Sequence, residues 1–117
     1  MIDLFSSDTP NGKKVSIMLE EINFNYKVIK LDLSKGDQFK SDFKNISPFS
    51  KIPAIVDHSN KREAVFESGA ILIYLAEKSG KFYDKKNKLR LLQTQIQLLF
   101  YLNDLLLQEF LKKDLFF

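Results

Sequence analysis

The sequence has 117 residues, of which 44% are hydrophobic, so it is long enough to form one ordinary domain with a buried core. It contains no cysteine, which excludes a disulfide framework, a thiolate metal site and a protein thiol that acts as nucleophile. The formal net charge is only +3 and the lysines are scattered among acidic residues, which argues against a nucleic-acid partner.

The N-terminal half predicts alternating strands and helices. Residues 2–5 form a short strand that is apolar on both faces, which is typical of a central strand covered by helices on two sides. Residues 11–22 have the apolar spacing of a helix, and the alternating residues 26–33 indicate a second strand. Residues 35–46 are polar with a weak helical turn. No basic region precedes a long apolar stretch at the N-terminus, so we expect no secretory signal and a cytoplasmic location.

The next segment predicts a hairpin and a closing helix. Residues 54–56 and 64–66 flank a polar loop of turn-forming residues, which is typical of a β-hairpin. Residues 68–78 have the apolar spacing of a helix, and Gly80 is a natural helix stop. The predicted order β-α-β-α-β-β-α is that of a thioredoxin-like α/β domain over residues 1–80.

The C-terminal part predicts a linker over residues 81–87 and a long helix over residues 88–117. This helix is apolar nearly all round, so another surface must bury it. Polar and charged residues interrupt it too often for a transmembrane span, and we therefore expect no membrane partner.

A proline at the mouth of the third strand indicates a peptide-binding edge. Pro53 cannot donate to a strand ladder, so it belongs at the first position of the strand. If the Ile52–Pro53 bond is cis, the Ile52 N–H and C=O point outward, where an extended peptide can pair with them. Glu67 and Ser68 then precede the closing helix, whose free N–H groups favour a carboxylate.

Four motifs in this order resemble the N-terminal domain of the glutathione transferases. The resemblance covers roughly residues 1–80 and is to the bacterial Nu-class branch, near the disulfide-bond reductases and the fungal Ure2-like proteins. The motifs are Asp8-Thr9-Pro10-Asn11-Gly12-Lys13, Lys35-Gly36-Asp37-Gln38-Phe39, Ser47-Pro48 with Lys51-Ile52-Pro53-Ala54-Ile55-Val56-Asp57-His58, and Phe66-Glu67-Ser68-Gly69-Ala70.

The resemblance implies that the ligand is glutathione, as a substrate and without a metal. Its γ-glutamyl carboxylate would accept hydrogen bonds from Ser68, and Glu67 would face its γ-glutamyl ammonium. Its cysteinyl main chain would pair with Ile52 on the Pro53 turn.

The resemblance further implies that Lys51 and Gln38 reach the glycyl carboxylate. Each site residue also has a plainer interpretation: Ser68 as a helix cap, Lys51 as a surface lysine and Pro53 as a strand start. These plainer interpretations remain open for the residues taken singly.

At the thiol end, the Nu-like pattern supplies Thr9 and Asn11 as the catalytic residues. Neither ionises, so each stabilises a thiolate only by donating a hydrogen bond. Such a bond is worth roughly 1.5–3 kcal/mol and a helix start about 0.3–1 kcal/mol. Since one pKa unit is about 1.4 kcal/mol, a thiol pKa of about 8.5 falls to near neutrality. A plain capped turn at residues 9–12 is the alternative, and Ser6 and Ser7 are alternative donors.

The only histidine, His58, cannot form a metal site alone, and we expect it to be a solvated turn residue. The resemblance implies attack by glutathione thiolate on a disulfide or an electrophile. It also implies that residues 88–117 are the first helix of a truncated all-α domain and that the chain is a homodimer or larger. A non-catalytic interaction or regulatory module, and a truncated remnant of a longer transferase, are the alternatives.

Overall fold

The computed structural model describes residues 1–82. Its strands are β1 (Ile2–Ser6), β2 (Tyr26–Lys30), β3 (Ala54–Asp57) and β4 (Glu63–Phe66), and its α-helices are α1 (Pro10–Glu21), α2 (Ser41–Lys44) and α3 (Ser68–Ser79). Two short 3₁₀ turns, Leu33–Lys35 and Asp37–Phe39, lie between β2 and α2. This order confirms the predicted thioredoxin-like arrangement. The helix predicted over 88–117, and all of the predicted linker beyond residue 82, lie outside the described residues.

The four strands form one sheet in the order β2-β1-β3-β4. β1 is parallel to β2 and antiparallel to β3, and β3 is antiparallel to β4. Across the three antiparallel strands, Leu4 pairs with Ile55 and Ile55 with Val65. One residue further along, Phe5, Ala54 and Phe66 form the next row. β1 is therefore an interior strand, as predicted.

The two faces of the sheet bury different clusters. Because side chains alternate along a strand, the row of Leu4 faces one side and the row of Phe5 faces the other. The first side packs against α1 and α3 in a large cluster whose fully buried members include Leu4, Val15, Met18, Leu19, Ile55, Ile71 and Leu75. The second side carries a smaller cluster of Leu31, Phe43 and Ala54, with the Phe5 and Phe43 ring centroids 5.9 Å apart.

The predicted strand over 26–33 is too long, because β2 ends at Lys30. The Asp32 side chain accepts hydrogen bonds from the Ser34 and Lys35 N–H groups, which starts a 3₁₀ turn in place of further strand. At the end of α3, Gly80 adopts a left-handed conformation with φ 70°. The predicted helix stop at Gly80 is confirmed.

The hairpin edge of the sheet contains a buried carboxylate. Asp57, at the end of β3, is fully buried and accepts hydrogen bonds from the Ser59 N–H and hydroxyl at 2.9 and 2.7 Å. The Lys78 ammonium of α3 lies 2.6 Å from the same carboxylate. Burial raises the pKa of the Asp57 carboxyl, but the hydrogen bonds from Lys78, Ser59 and Tyr74 outweigh it and hold the pKa well below its usual range.

The neighbouring His58 was predicted to be a solvated turn residue. The residue is exposed, but its Nε2 lies 2.7 Å from the Asp3 carboxylate on β1. The prediction of an exposed turn residue is confirmed, and the Asp3 contact is an additional feature that sequence position alone does not reveal.

Candidate functional site

The predicted site residues lie on segments that begin or end at the same edge of the sheet. Because Phe5, Ala54 and Phe66 pair in one row, β1 and β4 end, and β3 begins, at the same edge. β2 is parallel to β1 and ends there too. The eight predicted residues all lie on segments that leave or enter this edge, namely Thr9, Asn11, Gln38, Lys51, Ile52, Pro53, Glu67 and Ser68.

Thr9 is the N-cap of α1. Its backbone is extended, with φ −129° and ψ 156°, and its hydroxyl oxygen accepts a 3.2 Å hydrogen bond from the Gly12 N–H. Pro10 follows as the first helical residue, where its missing N–H costs nothing. A capped turn is therefore present. The cap uses the hydroxyl only as an acceptor, so its proton is available for donation to a ligand.

The loop before α1 is held closely against the helix. An added Cβ at Gly12 would clash with the Ser6 hydroxyl and lie 2.8 Å from the Ser7 carbonyl oxygen. The Lys13 ammonium, nearly fully buried, forms a 2.7 Å ion pair with Asp8. These contacts fix the position of Thr9 between them.

Asn11 is exposed in the first turn of α1. Its Oδ1 accepts a 3.3 Å hydrogen bond from the Lys14 ammonium, which directs the amide group and leaves the Nδ2 hydrogens without a partner among residues 1–82. Asn11 can therefore donate to a negatively charged ligand atom at this helix start.

The turn before β3 has the geometry predicted for a peptide-binding edge. The Ile52–Pro53 peptide bond is cis. Within the described part of the chain, neither the N–H nor the C=O of Ile52 makes a hydrogen bond, while Pro53 is buried. The Lys51 side chain is exposed and its ammonium makes no ion pair with residues 1–82. Within residues 1–82, a main-chain donor and acceptor without hydrogen-bond partners therefore lie beside a cation that makes no ion pair.

Ser47 holds this turn in place, a role that sequence reasoning missed. Ser47 is fully buried, and its hydroxyl donates to the Lys51 carbonyl at 2.8 Å and accepts from the Lys51 N–H at 3.2 Å. The Ser50 N–H donates to the Ser47 carbonyl at 2.9 Å, and Ser50 has φ 57°. A serine directly before a proline at a turn is the signal that was available, since Ser and Pro both favour turns.

Glu67 and Ser68 form the start of α3. Glu67 occupies the N-cap position with φ 72° and ψ 121°, a left-handed backbone that is strained for a residue with a side chain. No side chain caps the helix, so the N–H groups of its first turn lack side-chain partners among residues 1–82. Ser68 is half-buried as the first helical residue and is not the cap, so its plainer interpretation as a helix cap is wrong.

Gln38 lies in the 3₁₀ turn Asp37–Phe39. Its Nε2 donates to the Leu33 carbonyl at 3.4 Å, and its Oε1 is buried without a partner in the described part of the chain. One of the two Nε2 hydrogens is therefore engaged with Leu33, and the second is the donor that Gln38 offers to a ligand carboxylate.

Within residues 1–82, no group of three His, Asp or Glu side chains is arranged to hold a metal ion. Likewise, none of the helices in that range has both the length and the apolar character needed to cross a membrane.

Comparison with known proteins agrees with this arrangement. The model of the "Glutathione S-transferase, N-terminal domain" family matches residues 2–77. The disulfide-bond oxidoreductase YfcG of Escherichia coli K12 is 52% identical over 94 residues, covering 77% of this chain and 44% of YfcG.

Two solved structures of similar proteins contain glutathione species. A glutathione transferase family member from Pseudomonas fluorescens Pf-5, with two glutathione molecules bound, is 49% identical with a TM-score of 0.69, covering 74% of this chain and 40% of that one. A glutathione transferase from Pseudomonas putida, with one glutathione disulfide bound per subunit, is 46% identical with a TM-score of 0.67. The match covers 73% of this chain and 38% of that one. The chain thus spans less than half of each of these relatives. The predicted resemblance to the bacterial disulfide-bond reductases is confirmed.

Proposed function

The chain belongs to the glutathione S-transferase family through its N-terminal domain, and we propose that it binds glutathione at the sheet edge formed by the starts of α1, β3 and α3. The observation that carries this proposal is that, in the described part of the chain, the Ile52 main chain makes no hydrogen bond and lies beside an α3 start that no side chain caps. Glutathione is a peptide with two carboxylates, so it matches an edge that offers main-chain pairing and free N–H groups.

Each end of the ligand has a matching group in this proposal. The γ-glutamyl carboxylate accepts hydrogen bonds from the Ser68 hydroxyl and N–H, and Glu67 faces the γ-glutamyl ammonium. The cysteinyl N–H and C=O pair with Ile52. The exposed Lys51 ammonium meets the glycyl carboxylate, and Gln38 donates to the same carboxylate through its second Nε2 hydrogen.

The chemistry proposed is attack by the glutathione thiolate on a disulfide. Thr9 and Asn11 donate hydrogen bonds to the thiolate, which lowers its pKa. The thiolate attacks one sulfur of a disulfide, a new S–S bond forms to that sulfur, and the second sulfur leaves as a thiolate that takes a proton from water. The same thiolate can instead form a bond to an electrophilic carbon in conjugation, and the bond from that carbon to its leaving group breaks, so that the leaving group departs with the electron pair.

Isothermal titration of glutathione into the 117-residue protein tests binding, and consumption of a glutathione-linked disulfide tests turnover. Saturable binding with turnover supports the whole proposal. Binding without turnover would leave a non-catalytic module, and the absence of binding up to millimolar glutathione would refute the proposal.

A further inference from the structure

The strand β2 forms an open edge of the sheet in the described part of the chain. It is the end strand of the order β2-β1-β3-β4 and pairs with β1 alone among the described strands. All four residues of the interior strand β3 are buried, whereas none of the five residues of β2 is fully buried. An edge strand presents a row of main-chain N–H and C=O groups, so this edge can accept an added strand.

The hydrogen bonds to β1 identify which groups of β2 point outward. The Ile2 N–H donates to the Asn25 carbonyl at 3.2 Å. Because the direction of the main-chain groups alternates along a strand, Lys27 and Ile29 also direct theirs toward β1. The main-chain groups that point away from the sheet, and that have no hydrogen-bond partner within residues 1–82, are those of Tyr26, Val28 and Lys30.

These outward-pointing groups can pair with the same groups of a second copy. An antiparallel pair of β2 strands centred on Val28 places Val28 opposite itself and Tyr26 opposite Lys30. In this register all three residues form hydrogen-bonded pairs. A two-fold axis then relates the copies, so each contact occurs twice.

The side chains are complementary in charge in this register. Lysine on an edge strand usually discourages pairing, but here Lys30 lies opposite Tyr26 and Lys27 lies opposite Ile29. The Tyr26 hydroxyl donates to the Glu20 carboxylate at 2.7 Å. Lys30 is exposed and makes no ion pair within residues 1–82. Its stem therefore packs on the partner's Tyr26 ring, with its ammonium beside the partner's Glu20 carboxylate.

We propose that two copies of this chain associate through their β2 edges, so that two four-stranded sheets join into one continuous sheet. The occupant is a second copy and not an acidic peptide, because the edge carries Glu20 as well as its lysines and matches its own charge pattern. The contact needs only residues 20–30 and uses none of the eight residues of the glutathione site. It therefore does not depend on the proposed function.

Sedimentation equilibrium of the 117-residue chain, from micromolar to millimolar concentration, measures the dissociation constant of the dimer. Lys30→Glu and Glu20→Lys each bring like charges together across the contact, so each should raise that constant about tenfold or more. The double variant restores opposite charges and should return the constant to within about threefold of the wild-type value. Lys30 lies about 13 Å along β2 from Tyr26, the residue that holds Glu20, so this recovery cannot arise within one copy.

Lys44→Glu is the matched control, because Lys44 is exposed and its reversal changes the net charge equally, but it lies on α2. Its dissociation constant should stay within about twofold of the wild-type value. Hydrogen exchange followed by NMR gives an independent measurement. The amides of Tyr26, Val28 and Lys30 should exchange more slowly at high than at low protein concentration, and those of Lys27 and Ile29 should not change.

Three results would overturn the inference, whether or not glutathione binds. The first is a chain that stays monomeric at millimolar concentration. The second is an equal dissociation constant for the wild type and Lys30→Glu, which would place any self-association on another surface. The third is a double variant that associates no more tightly than the single variants.

Discussion

The Tyr74 hydroxyl donates a 2.7 Å hydrogen bond to the buried Asp57 carboxylate, which ties the middle of α3 to the end of β3. Together with Lys78, this contact fixes α3 against the sheet. The orientation of α3 in turn determines where Ser68 and the free N–H groups of its first turn lie. A contact at one edge of the sheet therefore supports the site at the other edge.

Tyr74→Phe is expected to lower the free energy of unfolding by about 1.5–3 kcal/mol, because it removes a donor to a buried charged acceptor. The control is Tyr26→Phe, whose hydroxyl donates at the same distance, 2.7 Å, to the exposed Glu20. We expect Tyr26→Phe to lower the free energy of unfolding by about 1 kcal/mol or less. Urea unfolding measures both, and equal losses would show that burial of Asp57 does not strengthen its hydrogen bond.

Stability is expected to fall with acidification through Asp57. Its carboxyl pKa is lower in the folded protein than in the unfolded chain, where it is about 4. The unfolded state therefore binds the proton first, so this contribution is complete at pH values above the unfolded pKa and is lost as the pH falls toward the folded pKa.

Urea unfolding at constant ionic strength between pH 7 and pH 3 measures this loss. In Asp57→Asn the pH dependence should be flatter than in the wild type, and the exposed Asp42→Asn serves as the control. Parallel pH profiles for the wild type and Asp57→Asn would contradict the assignment.

Gly12→Ala is expected to destabilise the fold and to disturb Thr9. The new methyl group would clash with the Ser6 hydroxyl and approach the Ser7 carbonyl, which cannot move without shifting the loop. Gly69→Ala is the matched control, since a Cβ there has no heavy atom within 4 Å and alanine favours a helix by up to about 1 kcal/mol. Thermal unfolding should show a lower Tm for the first variant and an equal or higher Tm for the second.

Ser68→Ala is expected to weaken glutathione binding by about 1–3 kcal/mol, because a hydroxyl donor to the ligand carboxylate is lost. Ser41→Ala is the control, since Ser41 is likewise the first residue of a helix, α2. It is exposed, and the N-cap residue before it makes no side-chain hydrogen bond to the helix start. Calorimetry in which both variants keep the wild-type affinity would remove Ser68 from the site.

Asn11→Ala is expected to raise the pH at which bound glutathione ionises while leaving its affinity nearly intact. The physical reason is that the Nδ2 hydrogens of Asn11, which have no partner among residues 1–82, stabilise the thiolate and not the thiol. A thiolate absorbance titration measures the shift, with the exposed Asn25→Ala as control. If the pH at which bound glutathione ionises does not change in Asn11→Ala, Asn11 is only a turn residue.

The sequence predicted the elements well because apolar spacing and turn residues mark them directly. α3 begins at Ser68 as predicted, whereas Pro53 directly precedes β3 and is not its first residue. Contacts between distant segments were not predictable in the same way. Asp57 looks like an ordinary turn residue in the sequence, since its partners Tyr74 and Lys78 are in the following helix and nothing local indicates its burial.

The main chain of Ile52, which makes no hydrogen bond to any other described residue, has a consequence for mutational scanning. Its side chain is half-buried against the small cluster around Phe43 and Ala54, while its N–H and C=O face the proposed ligand. Exchange of Ile52 for another aliphatic residue keeps both main-chain groups, so a library of substitutions would classify this position by hydrophobicity alone. Chemical synthesis that replaces the Lys51–Ile52 amide by an ester removes the Ile52 N–H. This replacement is needed to reveal the contact between that N–H and the proposed ligand.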